Sequence, residues 1–173
     1  MRKAISALLI SALFLTGCGK EEDNTTPSFY SYLGGYSYDA PVTAFVYESV
    51  AGEEEYGIQY REVTDLEGLL ASDDTVMIYM YDSLSQAGYG ITAGAEDIAQ
   101  CTWDDMLVVM VDVQQNIDLA TKYGVDKVPE FIIVRSGSEV SRFAGYNYEE
   151  WTMSDVAVWV SSCGIRVDYS KIN

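Results

Sequence analysis

The stretch GVDKVPEFIIV, Gly124 to Val134, sets a proline directly against a short apolar run. Phe131 to Val134 is aromatic and β-branched and is bounded by turn residues, the pattern of a buried strand. Proline has no N–H to give to a sheet ladder, so it is confined to edges, bulges or the first residue of a strand. Pro129 therefore reads as the residue that opens this strand. Downstream, Arg135-Ser136-Gly137-Ser138 is a hairpin signal that joins it to a second strand, Glu139 to Phe143. Upstream, Asn116 to Tyr123 reads as a helix closed by Gly124, where a left-handed residue is needed.

Further out, Val76 to Tyr81 (VMIYMY) and Leu107 to Val113 (LVVMVDV) are continuous apolar runs, the mark of strands buried on both faces. Thr92 to Cys101 reads as a helix. Thr64-Asp65-Leu66-Glu67, an N-cap followed by an acid at the third position, opens a short helix to Ala71. Val42 to Val50 pairs with Ile58 to Val63 across the acidic turn Gly52 to Gly57. Tyr148 to Cys163 is a closing amphipathic helix with Trp151, Val156, Trp159 and Val160 on one face. The element order is β α β α β α β β α. The first three strands, linked by helices, are expected to be parallel with right-handed crossovers, and the last two to form an antiparallel edge hairpin.

Composition bounds the chemistry. The chain of 173 residues carries a formal net charge of −17. Such a surface repels nucleic acid and anionic lipid, so neither is an expected partner by electrostatics. The chain has no histidine, which removes the usual general base near neutral pH and the commonest metal ligand. A Ser-His-Asp triad and a Cys-His dyad are both ruled out, and no metal site, cofactor or catalytic residue is expected. The three cysteines, Cys18, Cys101 and Cys163, are too far apart for a C-x-x-C motif.

The first residues, MRKAISALLISALFLTGC, combine Arg2 and Lys3 with the apolar run Ala4 to Leu15. This is the charged start and apolar core of a secretory signal, and it is shorter than the ~20 residues a membrane span needs. Leu15-Thr16-Gly17-Cys18 resembles a bacterial lipobox. The resemblance implies removal of residues 1–17, diacylation of Cys18, and a domain anchored outside the cytoplasm in the cell envelope. Residues 18–41 read as a lipid-anchored, flexible, Tyr-rich tether. Tyr30, Tyr32, Tyr36 and Tyr38 are many for a linker; they either pack on the domain, form an irregular hairpin around Gly34-Gly35, or belong to a disordered tether.

The element order, with Val128-Pro129 at the head of the fourth strand, resembles the thioredoxin family. Supporting matches are Val111-Asp112-Val113, the run LATKYGV from Leu119 to Val125, Ile132-Ile133-Val134, Gly137-Ser138-Glu139-Val140 and Phe143-Ala144-Gly145. The resemblance covers about residues 58 to 163 and implies an α/β thioredoxin-like domain over 42–173, a central mixed sheet with helices on both faces. It implies a cis bond before Pro129; without it, an ordinary trans proline would be read there. It also implies that the backbone before this proline pairs with an extended substrate strand, so that Val128, Pro129 and Glu130 border a binding groove.

The family's C-x-x-C falls here on Ser85-Gln86-Ala87-Gly88, with neither cysteine, and the buried acid of the preceding strand is replaced by Tyr79. Dithiol exchange at that position is chemically impossible. Ser85 is no substitute nucleophile, since no histidine exists to activate it and a serine hydroxyl is far weaker than a thiolate at neutral pH. In such folds the helices ending at Cys101 and Cys163 pack on one sheet face, so a structural disulfide between them is expected; two buried free thiols, or one buried and one exposed, are the alternatives. The leading functional expectation is a lipid-anchored, redox-inactive module that binds an extracytoplasmic protein or extended peptide, with Tyr81, Tyr89 and Glu130 as exposed contacts. The alternatives are a thiol-disulfide oxidoreductase or transport-accessory protein that uses Cys101 and Cys163, and a structural envelope lipoprotein whose Tyr-rich segment is the interacting part.

Overall fold

A computed structural model describes residues 28–49, 54–85, 88–147 and 150–172. Seven strands form one sheet: β1 (Leu33–Tyr36), β2 (Val42–Ser49), β3 (Tyr56–Val63), β4 (Thr75–Tyr81), β5 (Leu107–Asp112), β6 (Glu130–Arg135) and β7 (Ser138–Ala144), in spatial order β1-β3-β2-β5-β4-β6-β7. The helices are α1 (Leu66–Ala71), α2 (Gly88–Thr102), α3 (Ile117–Tyr123) and α4 (Met153–Ser162).

Strand β4 shows why an uninterrupted apolar run was needed. Val76, Met77, Ile78, Tyr79 and Met80 are each 0% exposed. Met77 and Tyr79 join the core under α2 and α4, with Ala95, Ile98, Val156 and Val160. Val76, Ile78 and Met80 join the opposite core, with Leu69 and Leu70 of α1 and Leu119 and Tyr123 of α3. The strand period of two feeds both faces, so helices cover the sheet on both sides.

Two terminators act as read. Gly124 caps α3 in the left-handed region at φ 63, with its N–H and that of Val125 returned to the last turn. Ser136 (φ 48) and Gly137 (φ 74) form the two-residue turn of the β6–β7 hairpin.

Several expectations are corrected. β4 and β5 pair in parallel, but β2 lies between β5 and β3 and is antiparallel to both. Of the three helix-linked strands, β4 and β5 are parallel neighbours as expected, while β3 runs in the same direction but is separated from β5 by β2. Thr43, Ala44, Phe45 and Val46 of β2 are buried, so this strand takes the interior position. β3 carries Gln59, Arg61 and Glu62 and stays nearer the edge. The cap of α1 is Asp65, whose side chain accepts from the Gly68 N–H, while Thr64 Oγ1 donates to the Tyr32 carbonyl. α4 starts at Met153 rather than Tyr148, because Thr152 and Asp155 form a capping box there; Trp151 precedes the helix. α2 begins at Gly88, ahead of the expected Thr92.

Residues 28–36, expected to lie in a flexible tether over 18–41, belong to the folded domain. Ser28–Tyr32 forms a 3-10 turn and Leu33–Tyr36 adds β1 to β3. Ser28 Oγ donates to Asp74, Tyr30 Oη donates to Glu48, and the Arg61 guanidinium lies over the rings of both Tyr30 and Tyr36. These tyrosines pack on the domain. Residues 1–17, expected to form a signal, and Cys18 lie outside the described residues.

Candidate functional site

Three chain segments meet at one end of the sheet: the end of β4, the end of β5 and the start of β6. Met80 pairs with Glu130 and Tyr81 pairs with Asp112. The Val128–Pro129 peptide bond, just ahead of β6, is cis. Val128 and Pro129 are half-buried. Among the described residues, the Val128 N–H and C=O have no hydrogen-bond partner.

The loop after β4 is held by carboxylates. Asp82 accepts from the Leu84 N–H at 2.9 Å and its carbonyl accepts from the Ser85 N–H at 3.0 Å. Asp112, 0% exposed, accepts from Gln115 Nε2 at 2.9 Å, the Gln114 N–H at 3.0 Å and the Ser83 N–H at 3.4 Å. Burial pushes the Asp112 carboxyl up, but the hydrogen bonds from Gln115, Ser83 and Gln114 outweigh it and hold it below the ordinary carboxylate range. Ser85 is exposed and Gly88 opens α2; Gln86 and Ala87 lie outside the described residues. Leu84 is 80% exposed, an apolar side chain offered to solvent at this end of the sheet.

Where the resemblance implies a buried acid, Tyr79 stacks on Phe131 with centroids 5.1 Å apart at 14°. Burial raises the Tyr79 hydroxyl, so it stays neutral. Beneath Pro129 the aromatic layer continues through Trp151, set edge-on to Phe131 and Phe143. A Cβ on Gly145 would lie 2.7 Å from two atoms of the Trp151 ring. The rigid ring cannot yield within this cluster, so Gly145→Ala is expected to lower stability by about 1–3 kcal/mol, read as the midpoint of urea unfolding.

Glu130 is not the exposed contact it was expected to be. Its side chain is 0% exposed and accepts from Arg142 Nη1 at 2.6 Å. Arg142 also donates to both oxygens of Glu139 and to the Tyr123 carbonyl at 2.8 Å. The guanidinium thus ties the end of α3, the start of β6 and the middle of β7 around the loop that carries Pro129. Glu139 is held below the ordinary range, first by its hydrogen bond from Arg142. Arg142 was missed because hairpin pairing without interruption would point it to the other face. The register shifts between Ile133 and Val134, leaving Val140 as the extra residue, and this puts Arg142 opposite Ile132 on the Glu130 face. Tyr81 is half-buried, its hydroxyl raised by burial and then by Asp112.

The expected disulfide is absent. Cys101 is buried, Cys163 is half-buried, and both are free. After α4 the chain turns at Gly164 (φ 81), and the Asp168 N–H donates to the Cys101 carbonyl. The segment following α4, not its end, lies against Cys101. Burial first, then the charges of Asp97 and Asp168, push the Cys101 thiol up, which disfavours the nucleophilic thiolate. Among the described residues no group of three potential metal ligands occurs, and no helix is long and apolar enough to cross a membrane.

The two-sided mixed sheet with a cis proline at the head of β6 defines a thioredoxin-like α/β domain. The family model for thioredoxin matches residues 65–157, more than half of the chain. The chain belongs to the thioredoxin family. It is 25% identical over 95 residues to Thioredoxin-T of Drosophila melanogaster, covering 55% of this chain and 60% of that protein, so it spans under two thirds of that relative's length. Among solved structures it is similar to a mutant thioredoxin from Halobacterium salinarum, with TM-score 0.50, 23% identity, and coverage of 61% of this chain and 88% of that one. It is also similar to the germline-specific thioredoxin Deadhead of Drosophila melanogaster, with TM-score 0.47, 17% identity, and coverage of 53% and 83%.

Proposed function

We propose that this is a redox-inactive thioredoxin-like protein, anchored through a lipid on Cys18 outside the cytoplasm of a bacterial cell. It holds an extended segment of another envelope protein, or a peptide, against the surface around Val128 and Pro129. The observation that carries the reading is the unpaired backbone of Val128 beside a cis proline, on a surface where the chain supplies no thiol. At half-buried Val128, an N–H and a C=O with no partner among the described residues favour pairing with an incoming strand. Tyr81 borders that strand's path. The free, deactivated Cys101 supplies no specific support for a thiol-exchange reading.

The test has three readouts in the full chain. Cys18→Ala is expected to move the protein from the membrane to the soluble fraction. Wild-type protein is expected to reduce insulin disulfides no faster than dithiothreitol alone. A photocrosslinking amino acid at Tyr81 is expected to yield a discrete adduct in intact cells, and the same probe at Ser136, in the turn at the opposite end of β6, none. Absence of an adduct at Tyr81 defeats the binding reading; insulin reduction by the wild type defeats the redox-inactive one.

A further inference from the structure

Among the described residues, the surface around Pro129 carries an excess of negative charge. Asp82 follows β4, Asp112 ends β5 and Asp126 lies in the loop before Pro129. Asp112 is 0% exposed and, among the described residues, accepts only from neutral donors, the Ser83 and Gln114 amides and the Gln115 side chain. Glu130, the other fully buried acid here, is matched by Arg142, and Arg142 is matched in turn by Glu139. Asp126 is exposed and Asp82 half-buried. Lys127, next to Asp126 in sequence, has its ammonium 5.7 Å from the centroid of the Tyr146 ring and makes no ion pair among the described residues. A buried carboxylate without a counter-charge is poorly screened, and its field extends to the surface above it. The chain's formal net charge of −17 adds a long-range component of the same sign.

Resting on the binding reading above, we propose that the segment this surface accepts is cationic: an extended strand whose lysine or arginine side chains meet Asp82 and Asp126 while its backbone pairs with Val128. Opposite charge across such a contact supplies selectivity and a fast, salt-sensitive approach more than it supplies affinity.

The experiment uses the full chain in detergent and three synthetic peptides about eight residues long, enough for one strand, in which valine alternates with lysine, serine or glutamate. The lysine peptide is expected to bind about tenfold more tightly than the serine peptide, and the glutamate peptide more weakly than either. Raising salt from about 0.05 M to about 0.5 M is expected to remove most of the difference. Asp126→Asn, an exposed change in a loop, is expected to weaken the lysine peptide about threefold, and Asp82→Asn to do the same, while Asp104→Asn in the turn between α2 and β5 leaves it unchanged. If the lysine peptide binds but Asp104→Asn weakens it as much as Asp126→Asn, attraction is general and the inference falls. If all three peptides bind alike and Tyr81→Ala weakens all three, the binding reading stands and the charge preference falls. If no peptide binds, both fall.

Discussion

Arg142→Met is expected to destabilise the folded chain by about 3 kcal/mol, because it leaves the Glu130 carboxylate buried without a counter-charge. In a domain of this size that is a fall in Tm of about 6–12 °C. Methionine keeps the aliphatic stem, so the loss isolates the guanidinium and its bonds to Glu130, Glu139 and the Tyr123 carbonyl. Adding Glu130→Gln to the same chain removes the stranded charge and is expected to return much of the loss, since replacing both partners of a buried pair is often near neutral. A double-mutant cycle by urea unfolding measures the coupling. The pH dependence has a definite sign: the Glu139 carboxyl is held below its ordinary range by Arg142, so its contribution holds above about 4.3 and is lost as pH falls below that. A variant as stable as the wild type at pH 7 would show that the clamp around Pro129 does not depend on this ion pair.

Ser85→Cys together with Gly88→Cys is expected to create a dithiol activity at the position where the natural chain has no cysteine. Gly88 is the first residue of α2, and α2 is a 15-residue helix whose N-terminal end favours a thiolate. The thiol at position 85 is expected to titrate at about 7 or below, against about 8.5 for an unperturbed cysteine. On oxidation the variant should lose two titratable thiols while Cys101 and Cys163 remain reduced, and it should accelerate insulin reduction above the dithiothreitol background. This gain tests the assignment of Ser85-Gln86-Ala87-Gly88 to the family's motif position. Failure of the two introduced thiols to join within one chain would put the motif elsewhere and remove the reason for reading Tyr81 and Val128 as neighbours of an emptied redox centre.

Both predictions turn on features of different legibility. β4, β5 and the β6–β7 turn were readable because each rests on local physics: a continuous apolar run demands burial on both faces, and Ser136-Gly137 adopts positive φ at both turn positions. Gly124 at the end of α3 is of the same kind. Pro129 at the head of β6 was readable because a missing N–H leaves few places in a sheet. The absence of histidine and of C-x-x-C limits the chemistry at the level of sequence alone.

Tertiary structure decided what depends on registration and on competition between distant segments. A single extra residue at Val140 turned Arg142 toward Glu130, and no local preference marks that bulge in the sequence. With that turn, the residue after Pro129 became a buried, neutralised charge instead of an exposed contact. β2 entered between β3 and β5 because its apolar Ala44–Val46 run gains more from the interior than the polar face of β3 would. The segment beyond Gly164 packed on the end of α2 and left Cys101 and Cys163 unjoined, which helix ends judged one at a time do not reveal. Side-chain period and backbone freedom are properties of a few adjacent residues; strand register and contact order are properties of the whole chain.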